Sequence, residues 1–123
     1  MHLGTQYYRD PNPPERFWRK DLADIAVAGF SFIGVWIPWG YVNPAPGRWE
    51  LDRYRRLLDR AHRHKLSVRV QLVPESAPAW TARRQPDTLM VNSRGQSVFL
   101  HAHPMLQRGG WPGLNQHHPV ARE

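Results

Sequence analysis

The chain has 123 residues and no cysteine, and its formal charge is +7. That length admits one small domain with its own core but falls short of the ~250 residues of a complete (β/α)8 barrel. The missing thiols exclude disulfides, thiolate catalysis and Cys-ligated zinc.

Leu3 to Tyr8 is rich in β-formers and predicts a strand. Pro11-Asn12-Pro13-Pro14 reads as a rigid loop, and Pro14 suits the first turn of a helix, where its absent N–H costs nothing. That helix is expected to run to about Ala28, with Trp18, Leu22 and Ile25 on one face and Gly29 as its stop. Phe32 to Trp39 is nearly continuously apolar, as in a strand covered on both faces of a parallel sheet. Pro44-Ala45-Pro46-Gly47 predicts a loop. A second helix is expected over Leu51 to His64, with Leu51, Tyr54, Leu58 and Ala61 as its stripe. Leu66 to Val73 predicts a third strand, in which Leu66, Val68, Val70 and Leu72 alternate with polar residues.

Past Val73 the alternation breaks. Ala77 to Arg84 predicts a short helix, and Asn92-Ser93-Arg94-Gly95 a hairpin turn between β-prone runs within Leu89 to Leu100. His101 to Asn115 reads as a long loop, and Pro119 to Glu123 as the start of a further helix. The strand–helix–strand–helix–strand order argues an α/β fold with right-handed parallel crossovers. Periodicity alone leaves a doubly wound sheet and a barrel both open.

Of the 17 basic residues, 15 are Arg, and they are scattered rather than clustered. Asp52–Arg56 and Asp59–Arg63 have the i,i+4 spacing of a solvated helix face, so no nucleic-acid partner is expected. No run reaches the roughly 18 apolar residues of a membrane span, and Met1 to Arg9 lack the pattern of a secretory signal. The expectation is a cytoplasmic protein with no membrane partner.

In an α/β protein the functional groups gather at the carboxyl ends of the strands. Those segments here are rich in aromatic rings: Tyr7, Trp36, Trp39, Trp80 and Trp111. A sugar packs its apolar C–H face on such rings, and its edge hydroxyls need polar partners, for which Asn43, Gln71 and Glu75 are placed. Trp36 is equally suited to filling a barrel interior. Trp18 and Trp49 lie on the helix side and are expected to pack. Glycoside cleavage needs two carboxyl groups, about 5–5.5 Å apart in a retaining enzyme. Only Asp10 and Glu75 follow strands on that side, and neither has an evident partner, so no catalytic residue is assigned within the chain. His62 and His64 diverge on a helix, and His101, His103, His117 and His118 offer no third ligand at a convincing spacing, so no metal site and no cofactor are expected. No Gly-x-Ser-x-Gly elbow, P-loop or dinucleotide fingerprint is present.

Gly4-Thr5-Gln6-Tyr7-Tyr8, Pro14-Glu15-Arg16-Phe17-Trp18-Arg19-Lys20-Asp21-Leu22 and Ala28-Gly29-Phe30 resemble the opening of family 42 β-galactosidases of the glycoside hydrolases. So do Trp39 to Trp49, Glu75-Ser76-Ala77-Pro78-Ala79-Trp80, Asn92 to Gly95, Gly110 to Leu114 and His118 to Glu123. The resemblance covers essentially the whole chain. It implies part of a TIM barrel, about its first three βα units, and a retaining enzyme acting on terminal β-galactosides. The implied acid/base Glu ends the fourth strand and the nucleophile the seventh, both beyond Glu123. The chain departs from the family pattern at Gly34, where a basic residue is common, at Asn43, where a Glu-Pro pair has its Glu, and near Asn115, where many members have Cys. The expectation is thus an amino-terminal barrel fragment over residues 1–123. It would carry the aromatic wall of a site for a β-galactoside or related carbohydrate, be inactive alone, and be prone to self-association through its open sheet edges. A non-catalytic or vestigial carbohydrate-binding fragment, or a barrel glycosidase for another sugar, are the alternatives.

Overall fold

The computed structural model describes residues 2–9, 13–74, 76–96, 99–100, 111–112, 115 and 117–119, except the side chains of Tyr8, Arg9, Phe99, Leu100, Trp111 and Pro112. The chain divides into two compact units.

The first unit comprises Met1–Ile37 and Glu50–Leu72. It is built on a three-stranded parallel sheet in the order β1 (Gly4–Arg9), β2 (Phe32–Pro38), β3 (Ser67–Val73). Two helices cross between them, α1 (Glu15–Val27) and α3 (Asp52–Arg63), with a one-turn helix α2 (Trp39–Val42) following β2. The strand pairs line up Gly4 with Phe32 and Gln6 with Gly34. Phe32 lays its ring over Gly4, where an added Cβ would sit 2.1 Å from the ring.

Under the helices the sheet contributes Ile33 and Val35, and the helices contribute Trp18, Leu22, Tyr54, Leu57 and Ala61, all buried. Each large apolar side chain buried here is worth about 1.5–3 kcal/mol. The stripe of α3 thus uses Leu57, whereas the expected Leu58 is exposed, because packing against α1 sets the helix rotation. The indole N–H of Trp18 donates to the Pro13 carbonyl at 2.9 Å, and Arg53 and Arg60 lie over its ring. Arg56 and Arg60 reach across to Glu15 at 3.1 and 3.3 Å. The expected Asp52–Arg56 pair gives way to this tie, and Asp52 bonds Arg55 instead. Among the described residues, Asp59 and Arg63 form no ion pair. The Glu15 carboxyl is held below its ordinary value, first by the hydrogen bond from Arg56.

Both helices end in the same way. Phe30 N–H donates to Ile25 O and Gly29 N–H to Ala26 O; Leu66 N–H donates to Ala61 O and Lys65 N–H to His62 O. This is the bonding of a Schellman stop, with a left-handed residue at its centre. Gly29 fills that position in α1, and Lys65, with φ of 58°, fills it in α3. Each turn then delivers a serine to the sheet: Ser31 N–H bonds Leu3 O at 2.8 Å, and Ser67 N–H bonds Ser31 O at 3.0 Å.

The second unit comprises Pro38–Trp49 and Val73–Glu123. It holds α2, α4 (Ala79–Arg84), a 3-10 turn (Pro86–Thr88) and a two-residue antiparallel pair, β4 (Phe99–Leu100) with β5 (Trp111–Pro112). The turn at Asn92 to Gly95 closes through Asn92 N–H to Gln96 O at 2.9 Å, with Gly95 at φ of 74°. β4 pairs antiparallel with β5, Phe99 opposite Pro112 and Leu100 opposite Trp111. The rest of the expected loop and the start of the last helix lie outside the described residues. Trp49, expected to pack, is 60% exposed. No helix among the described residues is long and apolar enough to cross a membrane.

Candidate functional site

Proline stops β2. Pro38 is buried and extended, and it serves as the N-cap of α2, so Trp39 opens a helical turn rather than ending the strand. Gly40 then meets the segment after β3. Its N–H donates to Ser76 O at 2.7 Å, and a Cβ at this position would lie 2.8 Å from that oxygen, so only glycine fits. Ser76 is itself fixed by its hydroxyl, which donates to Val73 O at 2.8 Å.

Asn43 ends α2 and is 2% exposed. Its side-chain Oδ1 accepts from the Trp39 indole N–H at 3.0 Å. Its Nδ2 donates to Ala45 O at 3.0 Å and Arg48 O at 2.8 Å. Its main-chain oxygen accepts from the Trp80 indole N–H at 2.9 Å. Arg48 N–H closes the loop onto Ala45 O, with Gly47 at φ of 73°, the geometry a Pro-Gly turn supplies. One buried amide therefore holds a turn and two indoles. Trp39 and Trp80 meet edge to face, with centroids 6.4 Å apart, and both rings are half-buried. Asn43 was expected to meet sugar hydroxyls directly. In the structure its two amide hydrogens go to the Ala45 and Arg48 carbonyls, and the residue braces both indoles.

Tyr7 belongs to the first unit. Its side chain is on the face of β1 opposite Gln6, and its hydroxyl donates to Asp21 on α1 at 2.9 Å. Burial, then the Asp21 bond, pushes the phenol well above its ordinary value. These contacts make Tyr7 a tie between sheet and helix layer.

Trp36 lies on the other face. There Gly4, Thr5, Gln6, Phe32, Gly34, Val35, Trp36, Arg69 and Gln71 line a concavity of about 230 Å3. Strand alternation accounts for Gln6, Trp36, Arg69 and Gln71 sharing one side, while Thr5 and Val35 also border the concavity. Sequence reasoning had passed over Gln6 and Arg69. The signal was present in the polar partners alternating with Val68, Val70 and Leu72. A wider groove of about 710 Å3 between α1 and α3 is lined by Arg19, Lys20, Ala23, Arg60, Arg63 and His64. It lies on the helix layer, away from the strand ends, and cations in the last turn of α3 are what its macrodipole favours.

Glu75 and the Trp111 side chain lie outside the described residues. Among the described residues no three His or carboxylates gather as a metal site.

The β-galactosidase model of glycoside hydrolase family 42 matches residues 6–106. The chain belongs to that family. It is similar to β-galactosidase BbgII of Bifidobacterium bifidum, at 28% identity over 95% of the chain and 16% of the relative. The β-galactosidase of the psychrophilic Marinomonas ef1 superposes with a TM-score of 0.68 at 25% identity, over 80% of this chain and 15% of that one. The β-galactosidase of Rahnella sp. R3 superposes with a TM-score of 0.75 at 21% identity, over 98% of this chain and 17% of that one, a likeness of fold. The chain thus spans about one sixth of the length of these relatives, and its three βα units are part of a TIM barrel.

Proposed function

We propose that the chain supplies an aromatic wall for the sugar site of a retaining, β-galactoside-hydrolysing barrel, and that it does not cleave the substrate alone. The observation that carries this reading is the Trp39–Trp80 pair held by one buried asparagine. An indole fixed by its N–H keeps its ring plane fixed, so a sugar meets a preformed surface and no side-chain entropy is spent on binding. By sequence, Glu75, which follows β3, and Trp111 are further candidates, and Trp36, within β2, is a candidate of the first unit. Four described acids of the helices are committed elsewhere, Glu15 to Arg56 and Arg60, Asp21 to Tyr7, Asp24 to Lys20 and Asp52 to Arg55, and Asp59 lies on the helix layer. Hence the two carboxyl groups of the retaining reaction are not assigned to them.

Titration of the isotope-labelled chain with galactose tests the wall. The indole N–H signals of Trp39 and Trp80 are expected to shift together and saturate, and Trp80→Ala is expected to abolish the response at Trp39. A galactose titration that moves neither signal overturns the reading. Turnover of a chromogenic β-galactoside by the purified chain would overturn its second half.

A further inference from the structure

Five bases and one alanine line the groove of about 710 Å3 between α1 and α3. Arg19, Lys20 and Ala23 share one face of α1, and Arg60, Arg63 and His64 share one face at the end of α3. The two helices are consecutive and pack on each other, as neighbours in the outer ring of a barrel do. Further βα units therefore stack beside this pair and not between its members. The dipole of α3 accounts for bases in its last turn but not for Arg19 and Lys20 on the opposite wall. Lys20 bonds Asp24 and Arg60 bonds Glu15, yet neither acid lines the groove. Arg19 and Arg63 form no ion pair among the described residues, although Asp59 stands one turn before Arg63. Positive charge thus meets an occupant from two walls, with room between them at Ala23. The chain as a whole carries +7, so a second copy would be repelled. The groove is far larger than one inorganic anion needs and falls within the ~300–1,000 Å3 of sites that hold a larger ligand. A bilayer or a nucleic-acid duplex meets outward-facing bases best, whereas opposed walls suit an occupant lying between them with acids on both flanks. The seam of two packed helices is also where a third helix seats its side chains.

We propose that this groove is a docking site for an acidic amphipathic helix of a partner protein. Its carboxylates reach Arg19 and Lys20 on one wall and Arg60, Arg63 and His64 on the other, and its small apolar side chains lie over Ala23. Docking here is independent of sugar binding, so either can fail alone. The probe is a fluorescent helical peptide of about 18 residues, a row of Ala flanked on both sides by Glu. The same peptide with Gln in place of Glu is the control. Anisotropy titration of the full chain is expected to show saturable binding of the Glu peptide, weakened by salt, and binding of the Gln peptide about tenfold weaker or less. Arg19→Gln with Arg63→Gln is expected to lower the affinity for the Glu peptide about tenfold or more. Arg83→Gln with Arg84→Gln removes the same charge from α4 and is expected to change it by about twofold at most. Ala23→Leu keeps every charge but fills the groove, and is expected to weaken the peptide as well. The four arginines are exposed, so circular dichroism of these variants should match the parent. No saturable binding, or an equal loss in the two arginine pairs, would overturn the docking site. Unchanged binding by Ala23→Leu would overturn the groove as its seat. A tighter, groove-dependent grip on an oligonucleotide or on phosphatidylglycerol vesicles would overturn the acidic helix as occupant.

Discussion

Replacing Asn43 by alanine removes the one group that joins Trp39 to the turn at Ala45 to Arg48. Three bonds are lost, at 3.0, 3.0 and 2.8 Å. The Trp80 bond goes to the main chain and survives the change. Water can reach the Arg48 and Ala45 carbonyls, which are not fully buried, so the main cost falls on the Trp39 N–H and the space left behind. A buried donor stripped of its partner costs about 1–3 kcal/mol, and loss of the turn bonds raises the expected total to about 2–4 kcal/mol. Set against a net domain stability of about 5–15 kcal/mol, that is a large fraction. Asn43→Asp keeps the acceptor for Trp39 but turns an oxygen toward two carbonyls, and is expected to be at least as harmful. Urea unfolding followed by tryptophan emission measures both. A cycle with Trp39→Phe isolates the indole bond, with an expected coupling of about 1 kcal/mol. An Asn43→Ala change of less than about 0.5 kcal/mol, or strict additivity with Trp39→Phe, would refute the account of Asn43 as the bracket.

Gly40→Ala is expected to cost about 1–3 kcal/mol by driving a methyl group against Ser76 O, measured by the same unfolding curves. Lys65→Gly is expected to stabilise by about 0.5–1 kcal/mol, since φ of 58° strains any residue with a Cβ; a fall in melting temperature would contradict this. The Glu15 carboxyl is depressed in the folded chain, so its contribution is present above the unfolded value near ~4.3 and is lost as pH falls through the folded one. Glu15→Gln should flatten that part of the acid-unfolding profile. The Tyr7 phenol is raised, so its contribution is full below the unfolded value near ~10 and declines as pH climbs toward the folded one. Tyr7→Phe should remove this alkaline loss, read by fluorescence-detected unfolding between neutral and alkaline pH.

The three strands and two long helices were legible because each repeats its apolar residues at one clear period. Helix α2 was not: Trp39-Gly40-Tyr41-Val42 is a single turn without a period, and it forms because Ser76 and Asn43 close it from outside. The choice of Leu57 over Leu58 was equally hidden, since both are apolar and only the neighbouring helix decides. Arg56 had an acid four residues away, yet it pairs with Glu15, 41 positions earlier, which no local spacing foretells. Asn43 looked like an open polar group because its three partners come from the fold of a loop. Tyr7 could have been read better. Alternation puts it opposite Gln6, and one of the two had to face the helices.

The matched helix stops at residues 28–31 and 64–66 have a consequence for how such a chain tolerates change in length. These turns enter the strands through a fixed set of main-chain bonds and a repeated serine step, so an inserted residue there would disturb both the stop and the strand register. The segments that leave the strands differ widely. Residues 10–14 suffice after β1, whereas residues 39–51, with α2 and the Pro-Gly turn, follow β2. Changes in chain length are thus expected to be better tolerated in these outgoing segments than at the helix stops.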